Sequence, residues 1–382
     1  MRKITLAVAA LAAVAVLSGC SKKDEKYSEA KRLMNAGSYS QAQPLYEEAA
    51  ANHNADAEFY VDMGYNCLGL QKYVTAEECF NHAISMEKEL EEAYRGLGIS
   101  CYEQGKLSDA ITAFNKAIEQ VNSQVQALEY DILEYRGDCE ARLMKYEEAI
   151  KTYDALIELG VHREDQYINK GRIYLAMNNT DEATECFNKV IEKKGNDVEM
   201  YFAIYQSYVE NGFTDEGVKY LSKALEVKGD SAEAHLYRGK IYYLMGNNSA
   251  ALTELQYPME EGIHEAALYE AFCYEAMGDT DKAEVIYKEE LTKNYDPEMA
   301  NYFALCLSRK GDYNTAWNVV HKAISDYPDC ACIRDLLWNE VVLYEKMGYY
   351  PSAYTHLLEY QSKYPGDSLV QQELEFLLMK IG

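Results

Sequence analysis

Basic residues are scarce in this 382-residue chain: 37 Lys and Arg stand against 63 Asp and Glu, a formal net charge of -26. A surface of that sign repels phosphate backbones and anionic headgroups, which argues against nucleic acid and against broad binding to anionic lipid. Two readings of the acidity stay open: colloidal solubility, the simpler one, and a basic partner. After residue 17 no apolar run approaches the ~20 residues that a membrane-spanning helix needs. There is no Gly-rich phosphate loop and no nucleophile elbow, and the seven histidines stand singly, without the spacing of metal ligands. Carboxylates are plentiful, but abundance alone gives acid–base pairs by chance. The chain is therefore expected not to be an enzyme and to carry no cofactor and no metal.

The one long apolar stretch lies at the start. Arg2 and Lys3 precede residues 4–17, which are apolar apart from Thr5. A basic opening followed by a short apolar run has the form of a secretory signal peptide. The run ends on Leu17-Ser18-Gly19-Cys20, which resembles the lipobox of bacterial lipoproteins. In that family the cysteine thiol takes a diacylglyceryl group, the chain is cut just before it, and the cysteine becomes the new N-terminus. The resemblance implies lipidation at Cys20, loss of residues 1–19 and a polar tether over residues 20–26. It implies an extracytoplasmic body held at a bacterial membrane by acyl chains, each buried CH2 contributing ~0.8 kcal/mol. Without Arg2 and Lys3, 35 basic residues face 63 acidic ones, a net of -28.

Nine cysteines remain after Cys20, an odd number that cannot pair completely within the chain. Cys67, Cys79, Cys101, Cys139, Cys186, Cys273 and Cys306 fall inside helical patterns, where a small apolar side chain belongs. Cys330-Ala331-Cys332 could form half of a redox or metal site, but no His–Cys cluster completes it. All nine are expected to be buried thiols.

Internal similarity dominates the rest. QKYVTAEECFNHAIS at 71–85, GKLSDAITAFNKAIE at 105–119 and GDYNTAWNVVHKAIS at 311–325 share one frame. A small residue recurs at Ala42, Ala76, Ala110, Ala149, Ala183, Gly217, Ala251, Ala283, Ala316 and Ala353, mostly in steps near 34. Four residues later stands a large one, from Tyr46, Phe80 and Phe114 through to Val320 and Leu357. Five residues earlier stands glycine in seven of the ten units and Asn178 in an eighth, residues that tolerate the left-handed conformation ending a helix. Upstream, a second small slot holds Gly64, Gly98, Gly137, Gly171 and Gly239. Spacings of three and four are helical, so each unit reads as helix, tight turn, helix. The two small slots are expected to face each other, with the large residue beside them. A 39-residue step adds residues near 121–128, and the unit around Tyr257-Pro258 is irregular. Asp24, Glu58, Glu92, Asp131, Asp165, Glu199, Glu233, Glu265, Glu298 and Asp335 share one place in their units. Acids favoured by the dipole at each first helix's N-terminus are the simpler account, a cation ladder the other.

Ten units of this pattern resemble the tetratricopeptide repeat family. The resemblance implies an all-α fold: an α-solenoid of about ten units over residues 27–365, forming a curved superhelix. Residues 366–382 read as a C-terminal capping helix that docks through Leu369, Leu374, Leu377 and Leu378. In the family the first helices line a concave groove. Its groove positions fall here on Tyr65, Arg95, Tyr102, Asp138, Arg142, Arg172, Phe202, Lys240, Tyr243, Arg309, Trp338 and Lys346. Aromatics and arginine dominate binding energy at interfaces, and a cationic run from Arg95 to Lys240 in an acidic body would focus a site. The function implied is a membrane-tethered scaffold or adaptor that binds a protein or peptide partner, in the manner of lipoproteins that serve envelope assembly. The alternative is a ligand-capture lipoprotein for a peptide or glycan. Ligand size separates them: an open groove suits an extended chain, an enclosed pocket ringed by aromatics a small molecule.

Overall fold

Each unit's turn sets the architecture. The computed structural model describes residues 25–50, 55–87, 90–120, 126–160, 162–364, 367 and 369–382. The signal segment, Cys20 and most of the tether lie outside these. Among the described residues there are twenty-one helices and no strand.

The chain divides into two compact units, residues 1–186 and 187–382. The first holds α1 (Glu25–Asn35), α2 (Tyr39–Ala50), α3 (Ala57–Gly69), α4 (Tyr73–Met86), α5 (Glu91–Glu103), α6 (Leu107–Gln120), α7 (Gln126–Arg142), α8 (Tyr146–Leu159) and α9 (Arg163–Ala176). The division falls inside α10 (Thr180–Lys194). The second unit continues with α11 (Val198–Glu210), α12 (Thr214–Ala224), α13 (Ala232–Leu244), α14 (Asn248–Glu260), α15 (His264–Ala276) and α16 (Thr280–Lys293). It ends with α17 (Pro297–Lys310), α18 (Tyr313–Asp326), α19 (Ile333–Lys346), α20 (Tyr350–Lys363) and α21 (Val370–Ile381). Within each unit successive helices pack as antiparallel neighbours, and alternate ones also meet, as α3 with α5 and α13 with α15.

All ten turns use one device. The residue five before each small slot has positive φ: Gly37, Gly105, Gly212, Gly246, Gly278, Gly311 and Gly348, together with Asn178, Gln71 and Met144. The next amide donates to the carbonyl five residues back, as Lys72 does to Cys67 and Asn247 to Tyr242. That is a Schellman closure, which satisfies carbonyls the helix end would leave unpaired. Gln71 and Met144 adopt a conformation that costs an L residue ~1–2 kcal/mol, because the hydrogen bonds across the turn hold it.

All ten small slots and all ten large residues after them are buried. The expected arrangement is corrected in one respect: the upstream glycines receive the large side chain itself. A Cβ on Gly64 would meet the Phe80 ring at 2.7 Å, one on Gly98 the Phe114 ring at 2.4 Å, and one on Gly239 Leu255 at 2.6 Å. A Cβ on Gly96, in the next unit, would meet the same Phe80 ring at 2.2 Å.

Other expectations shift. Glu25 and Lys26, read as tether, already belong to α1. The 39-residue step is partly taken up by α7, a 17-residue helix, and Asp131 therefore lies beyond its first turn. Pro258 sits inside α14 and is buried. Of the expected docking face of α21, Leu374 and Leu377 are buried with Val370, but Leu369 and Leu378 are exposed at 57% and 52%. Leu369 precedes the helix, and Leu378 follows Leu377 by one position, about 100° round the helix from the face that meets α20. Seven cysteines are buried as expected, whereas Cys330 and Cys332 are half-buried.

Two outcomes follow from this packing. Gly98→Ala forces a methyl into the Phe114 ring and is expected to cost ~1–3 kcal/mol in urea unfolding; adding Phe114→Leu should recover part of the loss. No loss would mean that the ring seat is not tight. Between α19 and α21, burial together with the charge and hydrogen bond of Glu373 pushes the Glu345 carboxyl up from 4.5 to about 7. A carboxyl that binds its proton more tightly when folded stabilises the fold below pH ~4.5, and the contribution fades as pH rises through about 7. Protection factors of residues 370–381, which divide out the intrinsic rise of amide exchange with pH, should fall over that window, and Glu345→Gln should abolish that fall.

Candidate functional site

The odd-numbered helices of each unit bring the predicted groove residues to a shared face. In the first unit the polar ones are tied to each other. On α3 the Tyr65 hydroxyl donates to the Glu92 carbonyl at 2.9 Å and accepts from Arg95 Nη1 at 3.1 Å. Arg95, on α5, donates through Nε to Asp131 of α7 at 2.6 Å and lies 5.8 Å over the Tyr65 ring. Its side chain is only 14% exposed. The next layer repeats the theme: Tyr102 donates to Asp138 at 2.7 Å, and Arg142 stands 3.7 Å from Asp138 and 5.2 Å over the Tyr102 ring. At the start of the unit Tyr27 donates to Asp62 at 2.6 Å, and Lys31 pairs with both Asp62 and Glu58. Towards its end Gln166 donates to Tyr130 at 2.7 Å. Arg172 is half-buried on α9.

Within the expected cationic run Arg95 and Arg142 thus form a ladder of neutralised charges, Arg95 answered by Asp131 of a neighbouring helix and Arg142 by Asp138 one turn back on its own. Burial pushes the Tyr65 phenol up to about 12, with Arg95 opposing.

The face in the second unit is aromatic. Lys240 of α13 lies 5.3 Å from the Phe202 ring, 5.5 Å from Tyr237 and 5.5 Å from Tyr269, and pairs with Glu265 at 2.8 Å. Tyr243 packs against Tyr269 and stacks on Phe272, both at 5.7 Å, and Phe272 meets Tyr302 edge-on at 4.9 Å. These rings form a column across α11, α13, α15 and α17. Arg309 lies outside it, paired with Glu275. Trp338 packs on Tyr360 at 5.4 Å, against the core of α19, α20 and α21. Lys346 is exposed.

Acids edge the column. Glu199, Glu233, Glu265, Glu298 and Asp335 are exposed in the first turns of α11, α13, α15, α17 and α19. Burial, then the hydrogen bond and charge of Glu199, push the Tyr237 phenol up to about 12. Burial and then Asp296, Glu265 and Asp335 raise the Glu298 carboxyl. Acids of successive repeats therefore feel one another.

Sequence reasoning missed Tyr237, Tyr269, Phe272 and Tyr302. The signal was present: Phe202, Tyr237, Tyr269, Tyr302 and Trp338 recur in steps of 35, 32, 33 and 36. An open cleft of about 820 Å³ lies beside Tyr237, between the turn after α10 and the start of α13; Lys194, Ser231, Glu233 and Arg238 help line it, and Tyr237 is the one aromatic on its wall.

Models of the tetratricopeptide repeat match residues 27–85, 61–125, 96–160 and 202–257, 167–196 and 265–294, together more than half of the chain. A TPR repeat-containing protein of Methanocaldococcus jannaschii is 26% identical over 158 residues, which is 41% of this chain and 27% of that protein. The chain thus spans about a quarter of that relative's length. Among solved structures, yeast Tom70 is 13% identical, with a TM-score of 0.50 over 93% of this chain and 88% of that one. A tetratricopeptide repeat protein from Parabacteroides merdae is 19% identical over 66% of this chain and 98% of that one, with a TM-score of 0.40. Likeness at such identity concerns the fold alone.

The ladder has a measurable signature. A double-mutant cycle of Arg95→Ala with Asp131→Ala is expected to give a coupling above ~1 kcal/mol, since the pair is desolvated. The exposed Arg142 and Asp138 should couple by less than ~0.5 kcal/mol. Equal couplings would mean that burial of Arg95 does not strengthen its pair.

Proposed function

Because the chain belongs to the tetratricopeptide repeat family, we propose that it is a non-catalytic scaffold, lipid-anchored through Cys20 outside the cytoplasm, that holds a protein or peptide partner for envelope assembly. The observation that carries the binding part is the aromatic column of Phe202, Tyr237, Tyr269, Phe272 and Tyr302 with exposed carboxylates along its edge. Aromatic rings give large contact area at low entropic cost. Carboxylates beside them favour a partner segment rich in Lys and Arg, which approaches an acidic body quickly. An extended segment fits a face that runs over successive helices. The cleft beside Tyr237 is open and of mixed charge rather than ringed by aromatics, so capture of a small ligand is the lesser reading. The anchor rests on Leu17-Ser18-Gly19-Cys20.

The test is a capture from envelope extract with residues 21–382 as bait, beside the same bait carrying Glu199→Lys, Glu298→Lys and Asp335→Lys. These side chains are exposed, so the fold should stand. One dominant protein is expected on the first bait and at least tenfold less of it on the second. An equal catch on both would remove this face from the reading. In the whole chain Cys20→Ser is expected to shift the protein from the detergent phase to the aqueous phase; no shift would remove the anchor.

A further inference from the structure

Cys330 and Cys332 lie in the turn between α18 and α19, outside everything assigned above. Their Sγ atoms are 3.4 Å apart. Both are half-buried, whereas the other seven described cysteines are buried. The turn is held by Cys330 N–H to the Tyr327 carbonyl at 3.2 Å and Ile333 N–H to the Cys330 carbonyl at 3.1 Å. Cys332 precedes the first residue of α19, and its side chain makes no capping hydrogen bond. Neither thiol is committed to the helix end, and a disulfide requires the sulfurs to close to ~2.0 Å, a movement of ~1.4 Å.

We propose that Cys330-Ala331-Cys332 is a thiol–disulfide exchange site for small-molecule disulfides. The roles of the two sulfurs differ. Burial, followed by the hydrogen bond and charge of Cys330, pushes the Cys332 thiol up to about 12. Cys332 therefore keeps its proton in the reduced pair, and Cys330 is the sulfur that attacks. The Cys330 thiolate displaces one half of a disulfide R–S–S–R: the S–S bond breaks, RS⁻ leaves and takes up a proton, and a mixed disulfide Cys330–S–S–R forms. Cys332 then gives its proton to solvent and attacks Cys330 Sγ. The second RS⁻ is expelled and protonated. Two protein thiols lose two electrons and two protons, and R–S–S–R becomes two R–SH.

The remaining thiols do not compete. Burial pushes Cys101, Cys273 and Cys306 each up to about 11 and Cys139 up to about 12. Cys79 holds the Cys67 thiol below its usual range, but Cys67, Cys79 and Cys186 are all buried. Reactivity requires thiolate character and access together.

The probe is oxidised glutathione, added to the whole native chain, followed by alkylation of remaining thiols and peptide mapping by mass spectrometry. In the unaltered protein Cys330 and Cys332 are expected to become joined, with no retained glutathione and the seven buried thiols still free. Cys332→Ser should arrest the reaction with one glutathione on Cys330. Cys330→Ser should leave Cys332 open to alkylation and free of adduct. Circular dichroism of each variant checks that the helices persist, and Cys330→Ala with Cys332→Ala serve if a serine disturbs the turn. The proposal is overturned if the unaltered protein keeps both thiols, if it retains glutathione without closing, or if the buried cysteines react at the same rate.

Discussion

A large side chain of the second helix seated on a glycine of the first is the contact on which four of the repeats depend: Phe80 on Gly64, Phe114 on Gly98, Tyr153 on Gly137 and Leu255 on Gly239. Phe80 lies against Gly64 of its own unit and against Gly96 of the next, so one ring closes the hairpin and joins it to its neighbour. The glycines matter because they lack a Cβ; any other residue would lift the helix off the ring and leave a gap in an interior packed to crystal-like density. A unit alone leaves one side of that ring uncovered. Stability in such an array accrues over units and interfaces together, and here the same atoms serve both terms.

Hairpins closed in this way lay equivalent positions of successive first helices side by side. A side chain on one helix then meets the side chain about one repeat later, and the two units use this differently. In residues 25–186 the adjacency is filled by Tyr65–Arg95–Asp131 and by Tyr102–Asp138–Arg142, polar groups that satisfy one another. In the second unit it is filled by rings around Lys240 and by Tyr243, Phe272 and Tyr302. A lysine inside three rings is held by cation–π attraction and by Glu265, so its charge is directed inward. Arg95, Arg142 and Lys240 are thus not the free cations that residue types alone pointed to.

The frame of the fold was legible because a period near 34 repeats its evidence ten times: small slots, large residues and turn glycines all land where the spacing puts them. Gln71 and Met144 were not legible as turn residues. Nothing in their side chains favours positive φ; the hydrogen bonds across the turn impose it, and those exist only once both helices do. The site was legible by residue type and opaque in its pairing. Arg95 and Asp131 are 36 residues apart, and Asp131 shares its place in the repeat with the acids of helix N-termini. The longer α7 moves it into the second turn, where it meets Arg95 instead. The aromatic column stands in the sequence at unequal steps of 35, 32 and 33 residues, and ring side chains there look no different from those of the core.

The acids beside that column bear on why the chain is so negative. Complementing a helix dipole needs one carboxylate per N-terminus and no closeness between those of different repeats. Yet burial is joined by Asp296, Glu265 and Asp335 in raising Glu298, and by acids of three repeats, Glu199, Glu233 and Glu265, in raising Tyr237. Like charges so arranged destabilise the folded array that carries them. Solubility could have been met by carboxylates spread over the even-numbered helices, without that repulsion. A basic segment lying along the rings would relieve it, and each relieved carboxylate would add to the partner's affinity. Under the proposed function the cost of the stripe in the free protein would be recovered on binding such a segment, a physical reason for the acidity of this face beyond solubility and helix dipoles.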